Sequence, residues 1–136
     1  MTADAGASGG PARDGDRRRL AWRFGRLGEA LCAWRLRLSG YRVIARDVRT
    51  PVGELDLVAR RGRTVAFVEV KARRRIDGEV LTTRQRRRIV RAAAVFLADR
   101  PALADCDMRF DLMLVRHRRL GLDLPRHLPG AFRADD

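Results

Sequence analysis

Residues 53–73 read GELDLVARRGRTVAFVEVKAR and predict the central hairpin of a β-sheet. Segment 53–60 is rich in Leu and Val, and segment 64–73 is rich in Val with one Phe, a composition typical of β-strands. A connection of hairpin length separates them and contains Gly62, which suits a tight turn. We therefore expect two neighbouring antiparallel strands here.

Acidic side chains interrupt both predicted strands. Because side chains alternate between the two faces of a strand, Glu69 and Lys71 share one face of the second strand. In the first strand Glu54 and Asp56 share a face, and the leucines that follow each of them take the opposite one. Pairing of the strands would then bring two or three carboxylates and one ammonium group to one side of the sheet.

Lys71 is the only lysine among the thirty basic side chains of the chain. Clustered carboxylates repel one another and persist mainly where a cation neutralises them. Lys71 supplies one positive charge, and a hard divalent cation, Mg²⁺ or Mn²⁺, would supply the rest. A compact ammonium group can orient an attacking water, whereas the wide guanidinium fork is a poor substitute. The pattern indicates a metal-dependent phosphodiester site; the alternative is a solvated sheet face.

Five further segments have the pattern of regular structure. Apolar residues recur at helical spacing over 20–39 and 82–98, and strand-like runs occupy 41–49 and 108–116. A shorter run at 119–124 has the pattern of a fifth strand. The main order, α-β-β-β-α-β, predicts an α/β fold in which a mixed β-sheet is flanked by helices.

The first predicted helix is apolar on two sides. One stripe consists of Phe24, Leu27, Leu31, Trp34 and Leu38. The other carries smaller residues and one acid: Gly25, Glu29, Cys32 and Leu36. A helix with two apolar sides is usually buried on both. We expect one side to meet the sheet and the other to meet the partner subunit of a homodimer.

The predicted domain occupies residues 20–124. Residues 1–19, rich in Gly, Ala, Asp and Arg, predict a disordered tail, and residues 125–136 predict an irregular C-terminal tail. Cys32 and Cys106 lack the spacing of a zinc site or a disulfide framework. No apolar stretch approaches the length of a membrane span. We expect a cytoplasmic protein that does not enter a membrane.

The net charge of +13 at pH 7 favours a polyanionic partner, nucleic acid above all. Because aromatic residues are few, recognition of a DNA backbone or shape is expected rather than base stacking. A basic adaptor for anionic membrane or protein surfaces is the alternative. The expected nucleic-acid-binding side chains are Arg73, Arg74, Arg75, Arg84, Arg87 and Arg88.

The segments GELDLVARRGRTVAFVEVKARR and MRFDLMLV resemble the G-E-I-D-L-I … F-V-E-V-K-x-R and RFD motifs of the YraN-type family of uncharacterised bacterial proteins. That family is similar to archaeal Holliday junction resolvases, which have the restriction-endonuclease-like fold and the PD-(D/E)xK nuclease motif. The resemblance covers about residues 25–115. It implies the same fold, with DNA as the substrate in preference to RNA.

The resemblance also implies roles for individual residues. Asp56 and Glu69 would be metal ligands, with the Val70 carbonyl as a third. Lys71 would position or activate the attacking water, and Glu29 on the first helix would complete the catalytic group. The proline-aspartate pairing of the motif is not literal in this chain.

Two further residues have less defined roles in the resemblance. Glu54 matches the family motif and would be an auxiliary carboxylate. Gln85 stands where many relatives carry a lysine, and helical spacing with Ile89 directs it inward. Its amide can bind a phosphate or a water but brings no charge. The main hypothesis is therefore a Mg²⁺- or Mn²⁺-dependent nuclease acting on DNA, including branched or damaged structures. The alternative is a nucleic-acid-binding protein with this fold and little or no cleavage activity.

Overall fold

A computed structural model describes residues 11–73, 80–118 and 121–136, with side chains described from Gly25 onward. These residues form two α-helices, α1 (Pro11–Leu38) and α2 (Thr83–Ala98), a 3-10 helix (Pro101–Leu103) and six strands. The strands are β1 (Arg42–Thr50), β2 (Gly53–Arg61), β3 (Thr64–Arg73), β4 (Asp107–Arg118), β5 (Gly121–Leu122) and β6 (Arg126–Phe132).

All six strands join one open sheet. β1, β2 and β3 are antiparallel neighbours, and β4 lies parallel to β3. Parallel neighbours need a crossover connection, which α2 supplies between β3 and β4. β5 and β6 both pair antiparallel with β4. The predicted mixed α/β sheet with flanking helices is therefore confirmed.

α2 begins where the sequence predicts, because Thr82 and Gln85 form a reciprocal cap. The Thr82 hydroxyl accepts a hydrogen bond from the Gln85 amide at 3.1 Å, and Gln85 Oε1 accepts one from the Thr82 amide at 2.9 Å. This arrangement satisfies two backbone donors at the helix start. Ile89 and Phe96 are buried farther along the helix, so one face of α2 packs against the sheet.

The sheet has an apolar layer on each face. On the α2 side, Phe67 lies between Phe96 and Phe110, with ring centroids 6.0 and 5.7 Å away, and Phe132 stacks on Phe110 at 5.1 Å. On the α1 side the fully buried residues are Cys32, Ala33, Leu36, Leu57, Ala59, Ala66, Met113 and Val115. Burial on both faces explains why β3 reads as a nearly continuous apolar run.

α1 packs on the sheet with its stripe of smaller residues. A methyl group on Gly28 would lie 3.3 Å from the Ala72 Cβ atom, so the helix approaches β3 closely at this glycine. The stripe of larger residues faces away from the sheet, and Leu27 and Trp34 are 54% and 51% exposed. Of the two predicted apolar sides of α1, the one that carries Cys32 and Leu36 therefore meets the sheet.

Both ends of the predicted domain differ from the sequence-based expectation. α1 begins at Pro11, so residues 11–19 are helical and not part of a disordered tail. Proline suits a first helical turn because its fixed φ is helical and its missing amide would have had no partner there. Residues 1–10 of the predicted tail lie outside the described residues.

The predicted irregular tail, 125–136, contains strand β6 instead. A buried polar cluster holds β6 against β4. The Asp111 carboxylate is 0% exposed and accepts hydrogen bonds from Arg109, from His127 Nε2 at 2.7 Å and from the Gly130 amide at 3.0 Å. Arg109 also hydrogen-bonds to the Tyr41 hydroxyl. These contacts are distant in sequence, so no local pattern predicts the strand. Arg109 and Asp111 thus form an ion pair, with 2.7 Å between Arg109 Nη2 and Asp111 Oδ2.

The side chains of β2 do not alternate as predicted. Leu55 packs in the α2-side layer and Leu57 in the α1-side layer, although simple alternation places both on one face. Asp47 lies between the paired positions Arg46–Leu57 and Val48–Leu55 of the β1–β2 ladder and has a φ of 49°. Such a left-handed residue interrupts the regular pleat. Leu55 and Leu57 therefore contribute to different layers.

Within the described part of the chain, neither helix combines the length and the apolar character that crossing a membrane requires.

Candidate functional site

Asp56 lies where β2 and β3 stop pairing. The last paired residues are Leu57 and Val68. Beyond them, Asp56 Oδ2 accepts a hydrogen bond of 2.8 Å from the Val70 amide. The carboxylate thus links two diverging strands in place of a backbone bond. Burial raises the pKa of Asp56, while the Val70 amide and the charge of Lys71 act in the opposite direction.

The Glu69 carboxyl group lies close enough to that of Asp56 for each to shift the pKa of the other, and the two can share a proton. Lys71 Nζ lies 3.5 Å from Glu69 Oε1, and both side chains are largely buried. Burial, followed by the charge of Asp56, raises the pKa of Glu69 to about 8, and Lys71 opposes this change. One ammonium group does not balance two neighbouring carboxylates, so the pair favours binding a proton or a further cation.

Glu29 extends this acidic group from α1. Burial, and then the charges of Asp56 and Asp47, raise the pKa of Glu29 to about 7, while Arg26 and Arg46 lower it. The buried Glu29 Oε2 atom has no hydrogen-bond partner among the described residues. The acid that the sequence analysis assigned to the first helix is therefore within electrostatic range of Asp56.

Asp47 is a fourth acid near this group, and the sequence analysis did not identify it. Like Asp56, it lies where the β1–β2 ladder skips a pair, between Arg46–Leu57 and Val48–Leu55, and it forms an ion pair with Arg26 of α1. An aspartate within the strand-like run 41–49 was the available signal, because Asp is depleted in strands. The charge of Asp47 contributes to the raised pKa values of Glu29 and Asp56.

A cleft of about 370 Å³ opens beside Glu69. Its lining consists of Thr50, Gly53, Glu54, Glu69, Gln85, Arg88 and Ile89. Gly53 is needed for its shape, since a Cβ atom there would lie 3.0 Å from the Arg88 carbonyl oxygen. Two residues with less defined predicted roles, Glu54 and Gln85, thus line one cleft with Glu69.

The Gln85 side chain has two roles. Its Oε1 atom accepts a hydrogen bond from the Thr82 backbone amide in the helix cap, and the side chain also lines the cleft. The side-chain NH₂ group is the remaining polar group, and it can only donate hydrogen bonds. Gln85 can therefore offer a donor to a phosphate or a water, but no positive charge.

A second cleft, of about 530 Å³, lies along α2 and is lined by Thr83, Arg84, Arg87, Arg88 and Arg91. Arg88 lines both clefts, so the arginine-rich surface adjoins the carboxylate cleft. Three predicted nucleic-acid-binding residues, Arg84, Arg87 and Arg88, lie here together. Arg73 ends β3 and is exposed, whereas Arg74 and Arg75 lie outside the described residues.

The donor set fits a hard divalent cation in composition but not as a complete cage. Among the described residues, no group of three or more His, Cys, Asp or Glu side chains is arranged to hold a metal ion. Asp56 and Glu69 nevertheless influence each other's pKa, and burial raises both pKa values. Mg²⁺ typically binds one or two carboxylates and completes its shell with waters and substrate phosphates. Asp56 and Glu69 supply the two carboxylates that such a Mg²⁺ site needs.

The fold and the cleft together define a basic α/β protein with half-buried carboxylates at the end of a strand pair. Residues 28–115 match the Uncharacterised protein family UPF0102. A UPF0102 protein of Paramagnetospirillum magneticum, amb4503, is 52% identical over 121 residues, which cover 85% of this chain and 91% of that protein.

Two other relatives agree with this match. A UPF0102 protein of Parvibaculum lavamentivorans is 52% identical over 115 residues, covering 83% of this chain and 84% of the relative. One of Methylorubrum extorquens is 45% identical over 124 residues, covering 90% and 94%. The chain belongs to the UPF0102 family, so the predicted membership of the YraN-type family is confirmed.

Proposed function

We propose that this protein is a metal-dependent nuclease that hydrolyses phosphodiester bonds in DNA. The observation that carries the proposal is the grouping of the half-buried Asp56 and Glu69 carboxyl groups, with Asp56 hydrogen-bonded to the Val70 amide, Lys71 3.5 Å from Glu69 and an arginine-lined cleft adjoining. Acids and a lysine at the open end of a strand pair are also the basis for proposing the restriction-endonuclease-like fold and its PD-(D/E)xK site.

Asp56 and Glu69 would hold Mg²⁺ or Mn²⁺. The Val70 carbonyl would be a third ligand, because the N–H and C=O groups of one strand residue point to the same side and the Val70 amide already points at Asp56. When bound, such a cation polarises a phosphodiester and stabilises the leaving oxygen. Glu29 is proposed to assist from α1 and Glu54 from the cleft wall.

Lys71 would orient the attacking water. Its ammonium group is held by Glu69 at 3.5 Å, which leaves two further N–H donors for other partners. A water held by such a donor keeps a lone pair free for attack on phosphorus. The substrate would approach along α2, where the guanidinium groups of Arg84, Arg87 and Arg88 bind phosphates.

The exposed stripe of α1 supports the proposal of a homodimer. Leu27, Trp34 and Leu38 are each more than half exposed and follow each other at helical spacing. A Trp34→Glu change would place a charge in the proposed interface. Light scattering should then report a monomer where the unaltered protein is a dimer; a monomeric unaltered protein would remove this part of the proposal.

A second candidate function is nucleic-acid binding without efficient cleavage. The observation that favours it is Gln85, which carries no charge and uses its Oε1 atom in the cap of α2. In this case the arginine cleft would bind DNA while the carboxylates would contribute little to catalysis.

A cleavage assay separates the two candidates. Purified protein is incubated with branched and linear DNA in Mg²⁺ or Mn²⁺, beside Asp56→Asn and Lys71→Ala. The nuclease proposal expects both variants to lose cleavage by about 100-fold or more while DNA binding persists. Asp105→Asn makes the same chemical change at an exposed acid outside the cleft and serves as the matched control. DNA binding with no cleavage by the unaltered protein in either metal would favour the second candidate.

A further inference from the structure

The turn between β1 and β2 forms an exposed apolar tip at the rim of the carboxylate cleft. Thr50 and Gly53, which flank the turn, line the cleft with Glu69. Between them, Pro51 is exposed and Val52 is 42% exposed. Two exposed apolar residues therefore project beside the proposed reaction centre.

This tip is held rigidly. The Thr50 hydroxyl donates to the Gly53 carbonyl at 2.6 Å and accepts from the Val52 and Gly53 amides at 3.2 and 3.1 Å. Pro51 fixes its own φ, and Asp47 alone among the described non-glycine residues has a positive φ. Two-residue hairpins usually take positive φ values, so the hydroxyl bonds hold a turn that backbone preference alone would not favour.

α2 also supports the tip. Gly53 approaches the Arg88 carbonyl oxygen so closely that a Cβ atom would lie 3.0 Å away. Arg49, which directly precedes Thr50, and Arg88, whose carbonyl oxygen lies next to Gly53, are both exposed. The tip thus combines a rigid apolar end with flanking positive charge, as expected of a residue pair inserted between stacked bases rather than of one that only contacts phosphates.

We propose that Pro51 and Val52 act as a wedge that enters the base stack of DNA next to the reaction centre. The inference rests on the proposed nuclease function and names its substrate class: DNA whose stacking is already interrupted, as at a branch or an unpaired base. Continuous duplex presents stacked bases and charged backbone, so insertion there costs unstacking energy. Interrupted stacking removes that cost, and preference for such DNA follows.

The test measures base unstacking in a background that is expected not to cleave. Asp56→Asn protein is mixed with four-way branched DNA carrying 2-aminopurine at the branch, and with continuous duplex of the same sequence. Binding is followed by anisotropy and unstacking by 2-aminopurine fluorescence. Val52→Ser removes the apolar tip, and Val52→Phe enlarges it. Met108→Ser is the control, since Met108 is 50% exposed against 42% for Val52 but lies beside Val65, about 13 Å along β3 from Glu69.

We expect branched DNA to give a fluorescence rise that Met108→Ser preserves and Val52→Phe increases. Val52→Ser should lose at least half of the rise and reduce the preference for branched over continuous DNA at least fivefold. If Val52→Ser binds both DNAs and keeps both the rise and the preference, the wedge is refuted while the nuclease proposal stands. If the protein binds neither DNA, both proposals fail.

Discussion

Asp56 Oδ2 accepts a hydrogen bond from the Val70 amide at 2.8 Å, just beyond the last ladder pair between β2 and β3. One carboxylate oxygen thus completes the backbone pairing, while the carboxyl group also contacts Glu69. This relationship gives Asp56 a structural and a proposed chemical role at once. Replacement by asparagine keeps an acceptor for Val70 and changes the charge, which is why Asp56→Asn is the preferred variant for binding experiments.

Replacing Lys71 by arginine should be severe although the charge is kept. The broader guanidinium group does not fit between Glu69 and the proposed water as an ammonium group does. We expect DNA cleavage to fall by about 100-fold, with thermal stability and DNA affinity little changed. Arg42→Lys, at an exposed strand position, is the reciprocal control and should leave cleavage unaffected. Full activity of Lys71→Arg would argue for a solvated sheet face.

Glu69→Gln should stabilise the protein at alkaline pH. The pKa of Glu69 is raised to about 8 in the folded state, so the folded protein binds a proton that the unfolded chain releases near its ordinary value. Its stabilising contribution is therefore complete below pH 4 and is lost as the pH rises toward 8. We expect a gain of about 1 kcal/mol for Glu69→Gln at pH 9 and less at pH 5, measured by urea unfolding.

Thermal unfolding in the presence of Mn²⁺ tests the same carboxylate pair in a second way. Divalent cations should compete with the proton for the carboxylate pair, so Mn²⁺ should raise the melting temperature of the unaltered protein more at pH 8 than at pH 6. Glu69→Gln should reduce that rise. An equal effect of Mn²⁺ on both proteins would indicate cation binding elsewhere.

Asp111→Asn should destabilise the fold without acting on the carboxylate pair. It leaves the Arg109 guanidinium with a neutral partner in a buried setting, and the cost is about 3 kcal/mol or more. The pKa of the Asp111 carboxyl is lowered to about 2, against the effect of burial, by hydrogen bonds from Arg109, His127 and Gly130. The contribution of Asp111 to stability is thus present above pH 4 and lost as the pH falls toward 2.

Urea unfolding at pH 7 and at pH 3 measures this prediction. The difference between Asp111→Asn and the unaltered protein should shrink at the lower pH. An unchanged difference would mean that the loss comes from packing and not from the charge. Asp105→Asn, at an exposed position, should be neutral at both values.

The arginine cleft should determine the salt dependence of DNA binding. If Arg84, Arg87 and Arg91 each neutralise a phosphate, each alanine variant should lower the slope of log K against log salt by about 0.9. Arg42→Ala, an exposed arginine of β1, is the control and should change the slope less. Equal slopes for all four variants would place the DNA elsewhere.

Local patterns were enough to predict the elements that local interactions determine. The strands β1 to β4 and helix α2 follow from apolar periodicity, and the Thr82 cap marks the helix start. β6 was missed because Pro129 and Gly130 break its pattern and its anchor, Asp111, is nineteen residues from Gly130. The switch between Leu55 and Leu57 was missed because it falls where the pairing of β2 with β1 skips a position, and pairing between strands cannot be seen in a local pattern.

In the candidate site too, local patterns predict some features, whereas others depend on contacts between distant segments. Glu54 and Glu69 line one cleft, and Asp56 contacts Glu69, as a hairpin of two acidic strands implies. The position of Glu29 over the strands came only from the family resemblance, because the contact between α1 and the sheet joins distant segments. The ion pair between Asp47 of β1 and Arg26 of α1 likewise joins distant segments. The double use of Gln85 also depends on the three-dimensional path of the chain around the start of α2.

Gly28 has a consequence for the acids that lie above it. Its missing side chain lets α1 rest against Ala72, and Glu29 is the next residue on the helix. A Gly28→Ala change would remove no charged or polar group, yet its methyl group would lie 3.3 Å from the Ala72 Cβ atom, so α1 or β3 would have to shift by a few tenths of an ångström. The close approach of α1 that places Glu29 near Asp56 thus depends on the absence of a side chain at residue 28.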